Sequence, residues 1–436
     1  MLSNAWKFIP GNEFCLKVTD GTHDSPKESK YGKPLITSKH IKGDEIDFDT
    51  AYLISEYDFN EINKRSKVDQ WDVIISMIGA YCGFCFIESN EQINYAVKNV
   101  GLFKTGSEVN AKWLYFYLNS PIGKAHLDAV KSGSTQPYIA LGALRNLPIL
   151  IPKQEEVKKG IVKVLEVIDS KIRVNNRINA ELEAMAKTLY DYWFVQFDFP
   201  DANGKPYKSS GGKMVYNPTL KREIPEGWEV CTIADWIAND KSGDWGKEHP
   251  EGNYLMKVDC IRGTDINGIN NTDSLEPPTR YILEKNKFKL LNPYELIIEI
   301  SGGSPTQSTG RMAYLTKSAL DRFNNPIICS NFCKAITLKD TNYFFNFAYQ
   351  WSAIYEQGLL FGWEGKTSGI KNLLFDAFAS KHYVTKPPSE LAERFFDKAS
   401  KIEEQKQTLL KQNTELAKLR DWLLPMLMNG QVTVIG

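Results

Sequence analysis

Two cysteine pairs are the first residues whose spacing suggests chemistry. Cys82-Gly83-Phe84-Cys85 and Cys329-Ser330-Asn331-Phe332-Cys333 are spaced as zinc-binding thiolates can be. No histidine lies near either pair, so buried, reduced strand cysteines are the better reading for a chain with seven cysteines in 436 residues. Gly365-Lys366-Thr367 has the ending of a phosphate-binding loop, but Leu360 stands where that loop requires its first glycine. What remains is a set of polar loops with glycine, such as Asp20-Gly21-Thr22-His23-Asp24-Ser25-Pro26 and Gly133-Ser134-Thr135-Gln136. They offer hydrogen-bond donors and acceptors but no nucleophile with its base and no cofactor constellation. That is the chemistry of binding.

The elements that must position these loops are two long helices. From Gln154 to Phe194 there is no proline, and Gly160 is the only glycine. Ile161, Leu165, Ile168, Ile172, Asn175, Asn179, Leu182, Ala186 and Leu189 step by four and three alternately, the seam of a helix with a 3.5-residue apolar repeat. Glu155 and Glu156 in its first turn suit the helix dipole. A second copy follows at a constant offset of 234 residues: Phe395, Ala399, Ile402, Lys406, Leu409, Asn413, Leu416, Arg420 and Leu423. A striped helix cannot bury its seam alone, so the two are expected to pair as an antiparallel coiled coil. The same spacing also suits ordinary bundle helices packed on the domains. The aromatic ending Tyr190-Asp191-Tyr192-Trp193-Phe194 reads as a docking surface for a partner.

The remainder of the chain is duplicated too. Ile224-Pro225-Glu226-Gly227-Trp228-Glu229-Val230 echoes Trp6-Lys7-Phe8, and Ile261-Arg262-Gly263-Thr264-Asp265-Ile266 echoes Ile41-Lys42-Gly43-Asp44-Glu45-Ile46. The apolar strands Asp72–Gly79 and Glu295–Gly302 correspond, as do Asn99 and Asn331. The expected order is a domain at 1–152, a helix at 153–197, a linker rich in Pro, Gly and Ser at 198–221, a second domain at 222–388, and a helix with tail at 389–436. The fold class is α/β (α+β), with two globular domains separated by the paired helices in a pseudo-two-fold molecule.

Composition bounds the function. Hydrophobic residues make up 42% and charged residues 24%, as in soluble globular proteins. No run is long and apolar enough for a membrane span, and the N-terminus has no signal-peptide core, so a cytoplasmic protein with no membrane partner is expected. Charge is balanced, 53 basic against 53 acidic residues. A nucleic-acid surface here must therefore be a local patch. The residues alone reach a duplicated two-module binder on a coiled-coil spacer. One alternative is an interaction scaffold that binds no DNA, which zero net charge favours.

The pattern resembles the specificity subunit of type I restriction–modification systems. The matching residues are the Asp20–Pro26 loop, Gly32-Lys33-Pro34-Leu35-Ile36-Thr37, Gly133–Gln136, Arg145-Asn146-Leu147-Pro148-Ile149, Trp193-Phe194-Val195-Gln196-Phe197-Asp198 and the C-terminal Leu419–Gly430. The likeness spans essentially the whole chain, except that the second domain has no copy of the Asp20–Pro26 loop. It implies a non-catalytic reader of double-stranded DNA, with each target-recognition domain gripping half of a bipartite site. It further implies two modification subunits that methylate adenine N6 from S-adenosylmethionine, and restriction subunits that use ATP and Mg. No cofactor is expected in this chain. In agreement, Glu276-Pro277-Pro278-Thr279 and Lys386-Pro387-Pro388-Ser389 lack the first and last residues of the amino-methylase motif.

On that implication, DNA contacts should come from loops bearing Arg, Lys, Gln, Ser and Thr. In the first domain these are Thr22, His23, Lys39, Lys42, Lys98, Lys131, Ser134, Thr135 and Gln136. In the second they are Lys241, Trp245, Lys257, Arg262, Arg311, Lys334, Lys366 and Thr367. For each the alternative is a solvated surface side chain, and for His23 a turn cap. Tyr192, Trp193, Phe194 and Trp422 are the expected docking residues for the partner subunits.

Overall fold

The computed structural model describes residues 5–43, 45–272, 275–304, 306–367 and 369–432, with the side chains of Lys366 and Thr367 outside that description. It divides into two compact units, Met1–Lys171 with Leu416–Gly436, and Ile172–Glu415.

In the first unit the main strands are β1 (Trp6–Pro10), β2 (Lys17–Asp20), β3 (Lys33–Thr37), β4 (Asp72–Ser76), β5 (Cys85–Ile87), β6 (Ala96–Lys98), β7 (Val100–Lys104) and β8 (Pro148–Pro152). An antiparallel sheet runs in the order β2-β7-β4-β5. Its central strand β4 is Val73-Ile74-Ile75, apolar on both faces because both faces are covered. Val73 and Ile75 pack with Trp113 and Tyr117, whereas Ile74 meets Ile36, Val97 and Leu102. Strand β3 lies parallel to β6, and β1 pairs antiparallel with β8. The run Tyr95–Phe103 is not one strand: Asn99, at φ +55, breaks it between β6 and β7. Asparagine tolerates that left-handed conformation better than most residues. Helix α1 (Glu108–Asn119) is capped by Ser107, and α2 (Pro121–Val130) starts with proline in its first turn, where no N–H is needed.

Helix α3 (Glu155–Tyr190) follows. The second unit then repeats these eight strands in order: β9 (Glu229–Thr232), β10 (Ile237–Ser242), β11 (Tyr254–Ile261), β12 (Glu295–Glu299), β13 (Met312–Tyr314), β14 (Ile327–Cys329), β15 (Cys333–Leu338) and β16 (Tyr383–Lys386). Its antiparallel sheet is β10-β15-β12-β13, β11 is parallel to β14, and β9 closes against β16. Helix α4 (Phe344–Glu356) covers it, with Trp351 and Phe347 buried, and α5 (Ser389–Met428) is the second long helix. The composition-based linker at 198–221 is folded onto this unit. Phe199 stacks on Tyr207, Met214–Asn217 pairs with Arg222–Pro225, and Phe199, Met214 and Leu220 pack on the core.

The border between the units falls within both long helices, between Lys171 and Ile172 and between Glu415 and Leu416. In the first, Ile161 and Leu165 of α3 pack with Leu424, Leu427 and Met428 of α5, Leu423 packs beside them, and Arg420 donates to Asp169 at 3.1 Å. In the second, Leu182, Ala186 and Tyr190 are buried on one helix, Phe395, Ala399 and Leu410 on the other. Asn175 donates to Asn413 at 2.8 Å, Asn413 to Asn176 at 2.6 Å, and Lys406 pairs with Glu183. The numbering runs oppositely along the two helices, so the pairing is antiparallel. Ile168 is buried, and Ile172, Asn179, Leu189, Ile402, Leu409 and Leu416 are half-buried, so every seam position turns inward.

One expectation is corrected here. Trp193 and Phe194 are not docking residues exposed for a partner; they are buried in the second unit's core. The helix widens into a π turn at Asp191–Val195, and Phe194 meets Phe395 edge-on at 5.0 Å while Trp193 lies 6.0 Å from the same ring. Buried area drives this, since large aromatics gain most by leaving water. Tyr192 and Trp422 remain exposed, Trp422 at 63%.

Candidate nucleic-acid interface

In the first unit the polar loops meet around Ser38. Its hydroxyl donates to the Asn99 carbonyl at 2.6 Å and accepts from the N–H groups of Met77 and Ile78 at 3.2 and 3.3 Å. The left-handed turn at Asn99 thus joins the end of β3 to the end of β4. The His23 ring bridges Asp20 (2.9 Å) and the Asn99 side chain (3.3 Å), and Arg65 closes on the other oxygen of the buried Asp20 carboxylate. Gly21 is required beside them: a Cβ there would sit 2.6 Å from the Val97 carbonyl oxygen. Thr22 is buried and bridges to Lys98, whose ammonium reaches Ser25. Thr22 and Lys98 therefore act first as loop braces.

The loop after Lys131 is pinned to the same edge. Gly79 donates to the Pro137 carbonyl at 2.9 Å, and Ser132 and Tyr138 exchange two backbone hydrogen bonds. This leaves Ser134, Thr135 and Gln136 exposed at the tip. Lys39 is exposed in the turn beside Ser38. Lys42 pairs with Asp47 at 2.6 Å, which holds that carboxylate down at about 2, and Lys131 pairs with Asp128 at 2.7 Å. The structure thus brings the first-domain candidates to one polar edge with Gln136, Thr135, Ser134, His23 and Lys39 outermost.

The second unit presents a cleft of about 850 Å³ instead. Trp245, Arg262 and Arg311 line it, together with Gln307, Asn331 and Phe332. Asp265 accepts from Nε and Nη2 of Arg262, both at 2.8 Å. Glu299 accepts from Nε and Nη2 of Arg311 at 2.9 and 2.6 Å. These hydrogen bonds raise both arginine pKa values, so the guanidinium charge is firmly held. Arg280 lies over the Trp245 ring at 4.0 Å, fixing the indole as a wall of the cleft.

Three second-domain candidates lie elsewhere. Lys241 turns inward to Glu295 at 2.7 Å, and Lys334 sits between Asp240 and Asp376 above the Phe375 ring, so both are engaged in structural ion pairs. Lys257 is exposed on β11, away from the cleft lining. Lys366 and Thr367 belong to the strand Glu364–Thr367, but their side chains lie outside the described residues. Sequence reading missed Gln307, Asn331, Asp265 and Glu299. Gln307 had a signal: it sits in a loop of Gly, Ser and Thr, Ser301-Gly302-Gly303-Ser304 through Gln307-Ser308-Thr309.

The cysteines are free thiols, and burial raises Cys85 and Cys333 to about 12, well above a metal-ligating range. Among the described residues there is no cluster of His, Cys, Asp and Glu fit for a metal, and no helix long and apolar enough to cross a membrane.

Each unit joins a mixed α/β head to segments of two antiparallel helices, and the two heads carry unlike polar residues at matching strand ends. Residues 5–184 match the family described as Type I restriction modification DNA specificity domain. The type I restriction enzyme MjaIX specificity subunit of Methanocaldococcus jannaschii is 26% identical over 337 residues, covering 75% of this chain and 70% of that protein. The HindI specificity subunit of Haemophilus influenzae is 28% identical over 138 residues, 31% of this chain and 30% of the relative. The crystal structure of a type I restriction–modification S subunit from M. genitalium shares the fold over 98% of this chain and 96% of its own, with TM-score 0.55 at 13% identity. Residues 5–184 thus carry the match to a type I specificity domain, and most of the chain is similar in sequence to a type I specificity subunit.

Proposed function

We propose that this chain is the DNA-reading specificity subunit of a type I restriction–modification complex, with each unit gripping one half of a bipartite duplex target. The observation that carries this reading is the contrast between the units. One eight-stranded frame is used twice, yet it presents an exposed Ser-Thr-Gln loop in the first unit and an arginine-lined cleft in the second. Identical frames with unlike polar edges suit two different half-sites. The chain supplies recognition, and partner subunits supply catalysis. The modification subunits use S-adenosylmethionine to methylate adenine N6, and the restriction subunits use ATP and Mg. Exposed Tyr192 and Trp422 are our remaining candidates for docking those partners. The complex would act in the cytoplasm.

Co-expression with the modification subunit in a methylation-free host, followed by sequencing of methylated positions, tests the proposal. A single bipartite motif is expected. Equal binding of motif-bearing and random DNA, with no methylation, would leave a protein scaffold as the surviving function.

A further inference from the structure

We infer that the second unit reads guanine, using Arg262 and Arg311 as carboxylate-braced forks that each take one base. The inference rests on the DNA-reading function proposed above and narrows it to a base.

The eight-strand repeat shows where the two units differ. Thr37 ends β3 opposite Lys98, and Ile261 ends β11 opposite Cys329, so Ser38 and Arg262 occupy the same place, and the match of Arg262 to Lys42 expected from the sequence is four residues out of register. Ser76 donates its N–H to the Phe84 carbonyl, and Glu299 donates its N–H to the Arg311 carbonyl, each at the end of the central strand. Ser76 therefore matches Glu299, and Phe84 matches Arg311. One unit carries Ser38, Ser76 and exposed Phe84 where the other carries Arg262, Glu299 and Arg311.

In each arginine the Nε and one Nη2 hydrogen are taken by the carboxylate. The outer edge keeps the Nη1 hydrogens and the second Nη2 hydrogen. That edge is a two-pronged donor, the match for the O6 and N7 acceptors of guanine in the major groove. The carboxylates also fix the rotamers, so little conformational entropy is lost on binding.

Base reading is favoured over phosphate binding by the same geometry. Each guanidinium charge is offset by a carboxylate within 2.9 Å, so the pair is close to neutral. A phosphate would meet that carboxylate's repulsion, whereas the neutral guanine edge would not. Trp245 and Phe332 flank the forks with apolar surface.

The test uses the full chain with its modification partner and sequencing of methylated sites for wild type, Arg262→Gln, Arg311→Gln and Gln136→Ala. The wild-type motif should contain G·C pairs in the half-site altered by the arginine variants. Each variant should lower the preference for one such pair by roughly 5- to 150-fold, leaving the other half unchanged. Asp265→Asn, which loosens the fork without removing it, should relax the pair that Arg262 reads and serves if an arginine variant does not fold. A second-unit half-site without G·C, or a uniform loss over all sequences as phosphate contacts give, overturns the inference. A wild-type complex that methylates no motif sinks the DNA-reading function itself, and the guanine assignment with it.

Discussion

Lys406 offers the sharpest check on how the paired helices are held in the second unit. It is 2% exposed, paired with Glu183 and 3.6 Å from Glu403, which is itself buried and accepts from Tyr314 at 2.8 Å and from Gln407 at 2.7 Å. At an effective dielectric of about 20, charges at the Lys406–Glu403 separation attract by ~4–5 kcal/mol. Lys406→Met keeps the volume and removes the cation, leaving Glu403 buried without a counter-charge. The expected loss of stability at pH 8 is about 3–5 kcal/mol. Burial already raises the Glu403 pKa above the usual carboxylate value, and the substitution raises it further. A carboxyl with a raised folded pKa binds its proton more tightly folded than unfolded, so its contribution worsens as pH rises and recovers as pH falls. The penalty at pH 5 should therefore be smaller than at pH 8. Urea unfolding followed by near-ultraviolet circular dichroism at both pH values measures it. A penalty below ~1 kcal/mol, or one equal at both pH values, would refute the reasoning.

Three further outcomes are expected. Asn413→Leu strands the amides of Asn175 and Asn176 and should lower stability by about 1–3 kcal/mol, with Asn175→Leu added to it restoring much of the loss in the same unfolding assay. Phe395→Ala, at the centre of the aromatic cluster, should cost about 3–5 kcal/mol, whereas exposed Trp422→Ala should change stability by less than ~0.5 kcal/mol and weaken only capture of the modification subunit in a pull-down. Gln136→Ala and Arg262→Ala should each weaken specific binding by ~1–3 kcal/mol in competition titrations, acting on opposite half-sites.

The seam of the helices was legible because periodicity is a local property. Ile161, Leu165 and Phe395 are buried where four-three spacing puts them. The duplication was legible as well, through Trp6 and Trp228 and the two apolar central strands. The misreading of Trp193 and Phe194 came from their position at a helix end. Nothing local signals that Phe395 and Trp228, far along the chain, close over them. The ion pairs of Lys241 and Lys334 were hidden for the same reason, since their partners Glu295, Asp240 and Asp376 arrive through the fold and not by sequence spacing. Asp265 lies three residues from Arg262 and was within reach of a local argument, but Glu299 reaches Arg311 only across neighbouring strands.

The pairing of first and last strands has a consequence for how such chains vary. Trp6 lies opposite Pro152, and Glu229 opposite Lys386, so the polypeptide enters and leaves each head through adjacent strands. A head built this way is a cassette with its doorway on one side. Its contents can be exchanged for another sequence of the same topology while the doorposts stay in register, which lets new target preferences arise without rebuilding the helices.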